Sequence, residues 1–173
     1  MSDKPDYKNS LNLPTTGFPM QANLVQREPE RLSRWESEDL YGQIQTARKD
    51  AEAFVLHDGP PFANGDVHIG TALNKILKDL VIKSQTLRGR RAPYIPGWDC
   101  HGLPIESRVT QELRAAGQVD SSPATIRSAC EAYARKYIDL QRTQFKRLGV
   151  LGDWEHPYLT LDRAYEAEEL RLF

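Results

Sequence analysis

His57-Asp58-Gly59-Pro60-Pro61-Phe62-Ala63-Asn64-Gly65-Asp66-Val67-His68-Ile69-Gly70-Thr71 is the stretch around which the chain is read. The apolar run Ala53-Phe54-Val55-Leu56 leads into it, and an amphipathic pattern from Leu73 to Leu87 leads out. The whole reads as a strand, a Gly/Pro-rich loop and the start of a helix. A helix start presents free backbone N–H groups and a partial positive charge, which suits an anion such as phosphate. The glycines let a ligand approach the backbone, because no Cβ stands in the way. His68 adds a donor that can carry charge near neutral pH. The bland alternative is a proline-stiffened turn with a histidine beside a helix start. Neither common phosphate fingerprint, G-x-x-x-x-G-K-S/T or G-x-G-x-x-G, occurs in the chain.

A second apolar segment, Ala92 to Ile95, enters Pro96-Gly97-Trp98-Asp99. Strand, helix and strand with short connections imply a right-handed parallel βαβ unit. In such sheets the ligand sits at the carboxyl ends of the strands. That rule brings the loop after His57 and the loop after Ile95 to one edge. Pro60 and Asp99, 39 positions apart, then face one pocket. The expected fold class is α/β: the first half of a Rossmann-like parallel-sheet nucleotide-binding domain, with an N-terminal extended and helical arm.

Residues 1–50 form that arm. Pro5, Pro14, Gly17 and Pro19 punctuate its first part, and Leu11, Leu13, Phe18 and Met20 are its expected anchors. Glu28-Pro29-Glu30 is expected to open a helix, with Pro29 in its first turn. A second short helix is expected from Leu40 to Arg48. Residues 51–173 form the expected half-domain. On its central helix, Leu73, Ile76, Leu77, Leu80, Val81, Ser84 and Leu87 recur at three and four, which predicts a buried face. Lys75, Lys78 and Lys83 lie off that face and, with Arg88, Arg90 and Arg91, form the most basic stretch. A solvated helix face is the preferred reading of these cations over direct RNA contact. Further helices are expected over Ile105–Ala115 and from Ser121-Ser122-Pro123 to about Leu148. On the second, Ile126, Cys130, Tyr133, Tyr137, Leu140, Phe145 and Leu148 mark the expected inner side. A short strand is expected over Tyr158–Leu161, followed by a helix from Arg163.

With 173 residues, 39% of them hydrophobic and 27% charged, the chain can bury a core. A net charge of −1 rules out a surface that attracts nucleic acid as a whole. Met1 to Ser10 is polar, so no signal peptide is expected, and no apolar run approaches a membrane span. Cys100 and Cys130 lack C-x-x-C spacing or zinc-ligand companions, which suits free thiols in the cytoplasm.

Several motifs together carry a resemblance. Gly59 to Gly65, His68-Ile69-Gly70, Asn74-Lys75-Ile76-Leu77-Lys78-Asp79 and Pro96-Gly97-Trp98-Asp99-Cys100-His101-Gly102-Leu103-Pro104-Ile105-Glu106 resemble a class I aminoacyl-tRNA synthetase. Within the class, the likeness is nearest to the isoleucine family. It runs from Leu11-Asn12-Leu13-Pro14 to Leu148 through Trp154 and Tyr158-Leu159-Thr160, nearly the whole chain.

The resemblance implies activation of L-isoleucine by ATP, with Mg2+ accompanying the ATP, and transfer of the acyl group to tRNA(Ile). Under it, His68 and Thr71 are the catalytic positions. Asn64, Gly65, His68, Gly70 and Thr71 contact ATP, with Asn64 supporting the loop and Gly70 admitting adenine or ribose against the backbone. Gly59, Pro60 and Asp99 bind the amino acid, with Asp99 receiving its ammonium group and Pro60 walling the side-chain pocket. The residues alone leave Asp99 open as a turn residue, and His101 open between pocket lining and loop support. Glu106 is read as capping the helix that follows.

One departure is Thr71, which stands where the family's signature has a second histidine. Threonine still donates a hydrogen bond but carries no positive charge. The family's Lys-Met-Ser-Lys-Ser loop, editing domain and anticodon-binding helices are not found in these residues. The chain is therefore expected to be an N-terminal segment ending before the editing insertion. No protein-bound zinc, no membrane contact and a monomeric complete enzyme are expected. Two other classes stay open: a small adenylyl-forming enzyme on the same His-x-Gly site, and a non-catalytic nucleotide-binding module or pseudoenzyme, for which Thr71 is the argument.

Overall fold

The structure is a computed structural model and describes residues 7, 10–12, 16–17 and 21–173. The expected anchors Leu13, Phe18 and Met20 lie outside the described residues. Leu11 is exposed. In chain order the elements are α1 (Leu24–Ser37), α2 (Leu40–Ala47), α3 (Ile69–Leu87), β1 (Gly97–Trp98), α4 (Leu103–Ala115), α5 (Pro123–Arg147), β2 (Tyr158–Leu159) and α6 (Arg163–Leu172). The result is a mostly helical α/β fold around a small parallel sheet.

That sheet is smaller than the sequence suggests. β1 and β2 pair in parallel, Gly97 with Tyr158 and Trp98 with Leu159. The expected strands at 53–57 and 92–95 are extended segments that touch at one parallel bridge, Ala53 with Arg91. A second isolated parallel bridge joins Phe62 to Asp99. Parallel pairing on either side of α3 agrees with a βαβ connection; the pairing is carried by single bridges because the prolines at 60, 61, 93 and 96 remove ladder donors.

Trp98, Tyr94, Phe145, Trp154 and Ile105 are among the side chains at the centre of the core. The Phe145 and Trp154 rings stack at 6.0 Å, and Tyr94 meets Trp154 edge-on at 6.5 Å. The arm is tied to this core. The Tyr41 hydroxyl of α2 donates to the Tyr94 carbonyl at 3.2 Å and accepts from the Tyr94 N–H at 3.0 Å. Arg147 at the end of α5 pairs with Glu28 of α1 at 3.2 Å.

Three helices differ from expectation. α1 begins at Leu24, so Pro29 lies inside it and not in its first turn. On α5 the predicted Tyr133 and Phe145 are buried, and Cys130 and Tyr137 pack partly buried against the core, but Ile138 and Gln141 are buried beside them in place of Leu140, and Leu148 is exposed. The largest difference is α3. It buries Lys75, Asp79 and Ile82 and leaves Leu73, Leu77, Leu80, Val81 and Leu87 exposed. The face predicted to be buried is the outer one, and Lys75, expected in solvent, is inside. The reason is electrostatic: Lys75 and Asp79 each have a specific partner below the helix, described next, and these partners set the rotation of α3.

Candidate nucleotide and amino-acid site

The loop after residue 57 is held from three sides. Its first support is Asp58, whose side chain is fully buried. One carboxylate oxygen pairs with Lys75 and the other with Lys78, both on α3. The Tyr94 hydroxyl donates to Asp58 at 2.9 Å, and Lys75 Nζ donates to the Tyr94 oxygen at 2.8 Å. From β2, the Tyr158 hydroxyl donates to the Asp58 carbonyl at 2.7 Å. Burial pushes the Lys75 ammonium below the usual lysine range, against the opposing pull of Asp58. Burial, with the Asp58 charge adding to it, pushes the Tyr158 phenol up to about 12 and the Tyr94 phenol higher still. Asp79 plays a parallel part further along α3, accepting from the Leu151 N–H at 3.0 Å.

The second support is α5. Buried Gln141 donates to the carbonyls of Phe62 at 3.1 Å and Gly65 at 2.9 Å, and accepts from the Trp98 indole at 2.9 Å. Gln144 accepts from the Val67 N–H at 2.9 Å. The Tyr133 hydroxyl donates to Asn64 Oδ1 at 2.8 Å. Gly65 sits at φ 77°, a conformation that favours glycine.

The third support is the loop after β1. The Asp99 N–H donates to the Pro61 carbonyl at 2.9 Å, and the Ala63 N–H donates to the Asp99 carbonyl at 2.8 Å. The predicted convergence of the two loops therefore holds at the backbone: Asp99 lies against Pro61-Phe62-Ala63, beside the half-buried Pro60 and the exposed Gly59. Asp99 Oδ1 accepts from the His101 N–H at 3.2 Å, a turn contact. Among the described residues its second carboxylate oxygen has no hydrogen-bond partner, and that oxygen is available to a cation. The His101 ring meets the Thr160 carbonyl at 3.1 Å, which favours loop support. Glu106 lies in the first turn of α4, where a carboxylate complements the helix dipole.

His68, Gly70 and Thr71 stand together at the start of α3. The helix starts at Ile69, with His68 as its N-cap. Imidazole Nδ1 accepts from the N–H groups of Gly70 at 3.1 Å and Thr71 at 3.3 Å. An accepting Nδ1 carries no proton, so the ring proton sits on Nε2, which donates to the Thr71 hydroxyl at 3.0 Å. The donors expected to await an anion are thus covered by the histidine itself. Gly70 makes this possible, since an added Cβ would lie 3.0 Å from the His68 ring. Turning the ring away exposes two N–H groups and frees the imidazole in one movement.

Sequence reasoning missed Asp58, Lys75, Tyr94, Gln141 and Gln144. The available signals were a lysine and an aspartate spaced by four inside a helix, and a glutamine inside an apolar stripe. Among the described residues, no helix is long and apolar enough to cross a membrane.

Comparison with known proteins agrees with this architecture. Residues 30–173 match the family described as tRNA synthetases class I (I, L, M and V). The isoleucine–tRNA ligases of Kosmotoga olearia and Thermotoga petrophila are each 60% identical, over 96% and 97% of this chain respectively. That of Methylococcus capsulatus is 58% identical over 96%. The chain spans about 18% of the length of these curated relatives. A LeuRS from Agrobacterium radiobacter, solved as a ternary complex with tRNA and LeuAMS, superposes with a TM-score of 0.62 at 22% identity. That match covers 88% of this chain and 17% of the LeuRS chain, and shows a shared fold. With the matched segment taking in both loops and every helix from α2 to α6, this chain belongs to the class I tRNA synthetases of the isoleucine, leucine, methionine and valine group.

Proposed function

We propose that this chain is an N-terminal segment of an isoleucine–tRNA ligase: residues 51–173 are the first half of a Rossmann-like catalytic domain, and residues 1–50 its N-terminal arm. The reaction of the complete protein is activation of L-isoleucine by ATP to isoleucyl-adenylate and pyrophosphate, followed by acyl transfer to tRNA(Ile). The observation that carries the reading is the backbone pairing of Phe62 with Asp99. It sets a carboxylate with one open oxygen beside the Gly59-Pro60 loop, in a chain 60% identical to isoleucine–tRNA ligases.

In the proposed mechanism the ammonium of isoleucine binds Asp99, a charge-assisted contact, and its side chain lies against Pro60. The amino-acid carboxylate attacks the α-phosphate of ATP, and pyrophosphate leaves. Such chemistry rests on positioning and on stabilising charge, with no covalent nucleophile. His68 swings off its cap, so that the Gly70 and Thr71 N–H groups and the imidazole all become donors to phosphate oxygens. Thr71 contributes its hydroxyl without charge. Asn64 and Gly65 keep the loop open to the nucleotide through Tyr133 and Gln141. Among the described residues no three His, Cys, Asp or Glu side chains gather as metal ligands. Mg2+ in this scheme therefore arrives on the phosphates of ATP. The complete enzyme works as a cytoplasmic monomer.

The isolated chain is expected to bind ATP weakly and not to charge tRNA at a useful rate. Calorimetric titration with a non-hydrolysable isoleucyl-adenylate analogue tests the site. Binding that is lost in Asp99→Asn supports it; equal affinity for an analogue lacking the ammonium group sinks it. A tRNA-charging assay tests the second part, and turnover matching a complete ligase would refute it.

A further inference from the structure

We propose that Gln144 is a positioning residue for His68, and that with Gln141 it makes α5 the spacer that sets the nucleotide loop against the amino-acid loop. The inference rests on the reading of His68 and Asp99 as binding residues and adds to it the pair of amide side chains that fixes their separation.

Positions 141 and 144 are three apart on one helix, so both side chains project from the same face. Gln141 engages both loops. Its amino group donates to the Phe62 and Gly65 carbonyls of one, and its oxygen accepts from Trp98, the residue before Asp99, in the other. Gln144 carries the grip along the first loop to the residues just before His68. The Val67 N–H can only donate, so it takes the amide oxygen of Gln144, at 2.9 Å. That orientation aims the amino group at Asp66, and it donates to Asp66 Oδ1 at 2.6 Å. One side chain from α5 thus holds two successive residues of the loop, and His68 follows them at once as the N-cap of α3.

The bond to Asp66 has its own consequence. Asp66 is exposed, and among the described residues its carboxylate has this neutral amide and no cation as its partner. A carboxylate free to move two residues before His68 repels any phosphate bound there and competes for the imidazole. Held to α5, it does neither. The core does not depend on these bonds: Gln144 is half-buried, and Gln141 and Phe145 fill the interior of that stretch of the helix. The two bonds therefore act on the loop and not on the helix that supplies them.

The test reads the surroundings of His68 by nuclear magnetic resonance, with Gln144→Leu as the variant that loses both bonds. Gln144→Glu combined with Asp66→Asn is the rescue, since a carboxylate then accepts from the Val67 N–H and from the new side-chain amide. Above the ordinary imidazole titration range, the parent should show an unprotonated Nδ1 and a protonated Nε2 on His68. In Gln144→Leu the Gly70 and Thr71 amides should exchange with solvent at least about fivefold faster than in the parent, as loss of a cap requires, with the α4 amides within about twofold. The rescue variant should return both amides to the parent's rates. Unchanged Gly70 and Thr71 exchange in Gln144→Leu overturns the proposal. Faster exchange throughout the chain, with no return in the rescue variant, overturns it too, because Gln144 then serves stability alone. Calorimetric titration supplies the functional arm. Gln144→Leu should bind the non-hydrolysable isoleucyl-adenylate analogue about tenfold more weakly, and isoleucinol, which engages Asp99 without the nucleotide loop, within about twofold of the parent. Equal weakening of both ligands overturns the spacer role. A parent that binds neither ligand sinks the reading of His68 and Asp99, while the Gly70 and Thr71 amides still decide whether Gln144 positions the histidine.

Discussion

Replacing Lys75 by methionine keeps the length of the side chain and removes its charge. Asp58 is then left, fully buried, with Lys78, the Tyr94 hydroxyl and no second cation. Removing one partner of a buried ion pair costs about 3–5 kcal/mol when the other charge is left uncompensated. Lys78 still offsets part of the Asp58 charge, so the lower end, about 3 kcal/mol, is expected. For a chain of this size that lowers the unfolding midpoint by about 6–12 °C. Lys78→Met is the comparison. Its side chain is 18% exposed, so water takes over part of its role and about 1 kcal/mol is expected. The pairwise term comes from the double variant Asp58→Asn/Lys75→Met. It should recover at least about 1 kcal/mol relative to the sum of the single variants, because neither charge is then stranded. Urea unfolding followed by circular dichroism measures the parent, Lys75→Met, Lys78→Met, Asp58→Asn and the double variant. A Lys75→Met variant within about 0.5 kcal/mol of the parent, the range of ordinary surface substitutions, would refute the reasoning that Asp58 fixes α3.

Three further outcomes are expected. His68→Ala leaves the Gly70 and Thr71 N–H groups uncapped and should cost about 1 kcal/mol. His68→Asn caps equally well and should restore that stability while weakening adenylate-analogue binding, which separates the two roles; equal binding by the parent and His68→Asn would assign the histidine to capping alone. Gly97→Ala places a Cβ 2.0 Å from the Tyr158 ring, which must shift and give up its bond to the Asp58 carbonyl; a loss of about 2–4 kcal/mol is expected, recovered largely by adding Tyr158→Ala. Alkaline titration of stability gives the last. The Tyr158 phenol is raised to about 12 by burial, with the neighbouring Asp58 charge adding to it. Such a group binds its proton more tightly when folded, so its stabilisation is complete below pH 10 and is lost as pH rises towards 12. In Tyr158→Phe the unfolding midpoint should fall less steeply across that window, and an unchanged slope would dismiss this phenol as the cause.

The element order of this chain was legible because its boundaries carry local chemistry. Ser122 accepts from the Thr125 N–H and starts α5 where the Ser-Pro pair predicts. The parallel relation of the two site loops was legible from topology alone, and Phe62 with Asp99 bears it out. What holds those loops was not legible. Gln141 reaches two carbonyls and an indole that lie 79, 76 and 43 positions away; a glutamine inside an apolar stripe signals that it is buried but not which partners it meets. Gln141, and not the neighbouring Leu140, is the buried residue in that turn of α5, since a buried amide that meets its partners serves as a core residue.

The reversal of α3 is a different kind of failure. Its apolar period is regular, but the partners of Lys75 and Asp79 outweigh it and set which side of the helix is buried. Hydrophobic periodicity marks an apolar face, whereas Lys75 and Asp79 mark the side of the helix that packs in this chain. When a helix shows an apolar stripe and also a lysine and an aspartate four positions apart on another face, the two signals describe two interfaces. In this chain the polar one carries the loop after residue 57, through Asp58 at its base. A disturbance at the outer face of α3 is therefore coupled by one rigid helix to the position of Gly59 and Pro60.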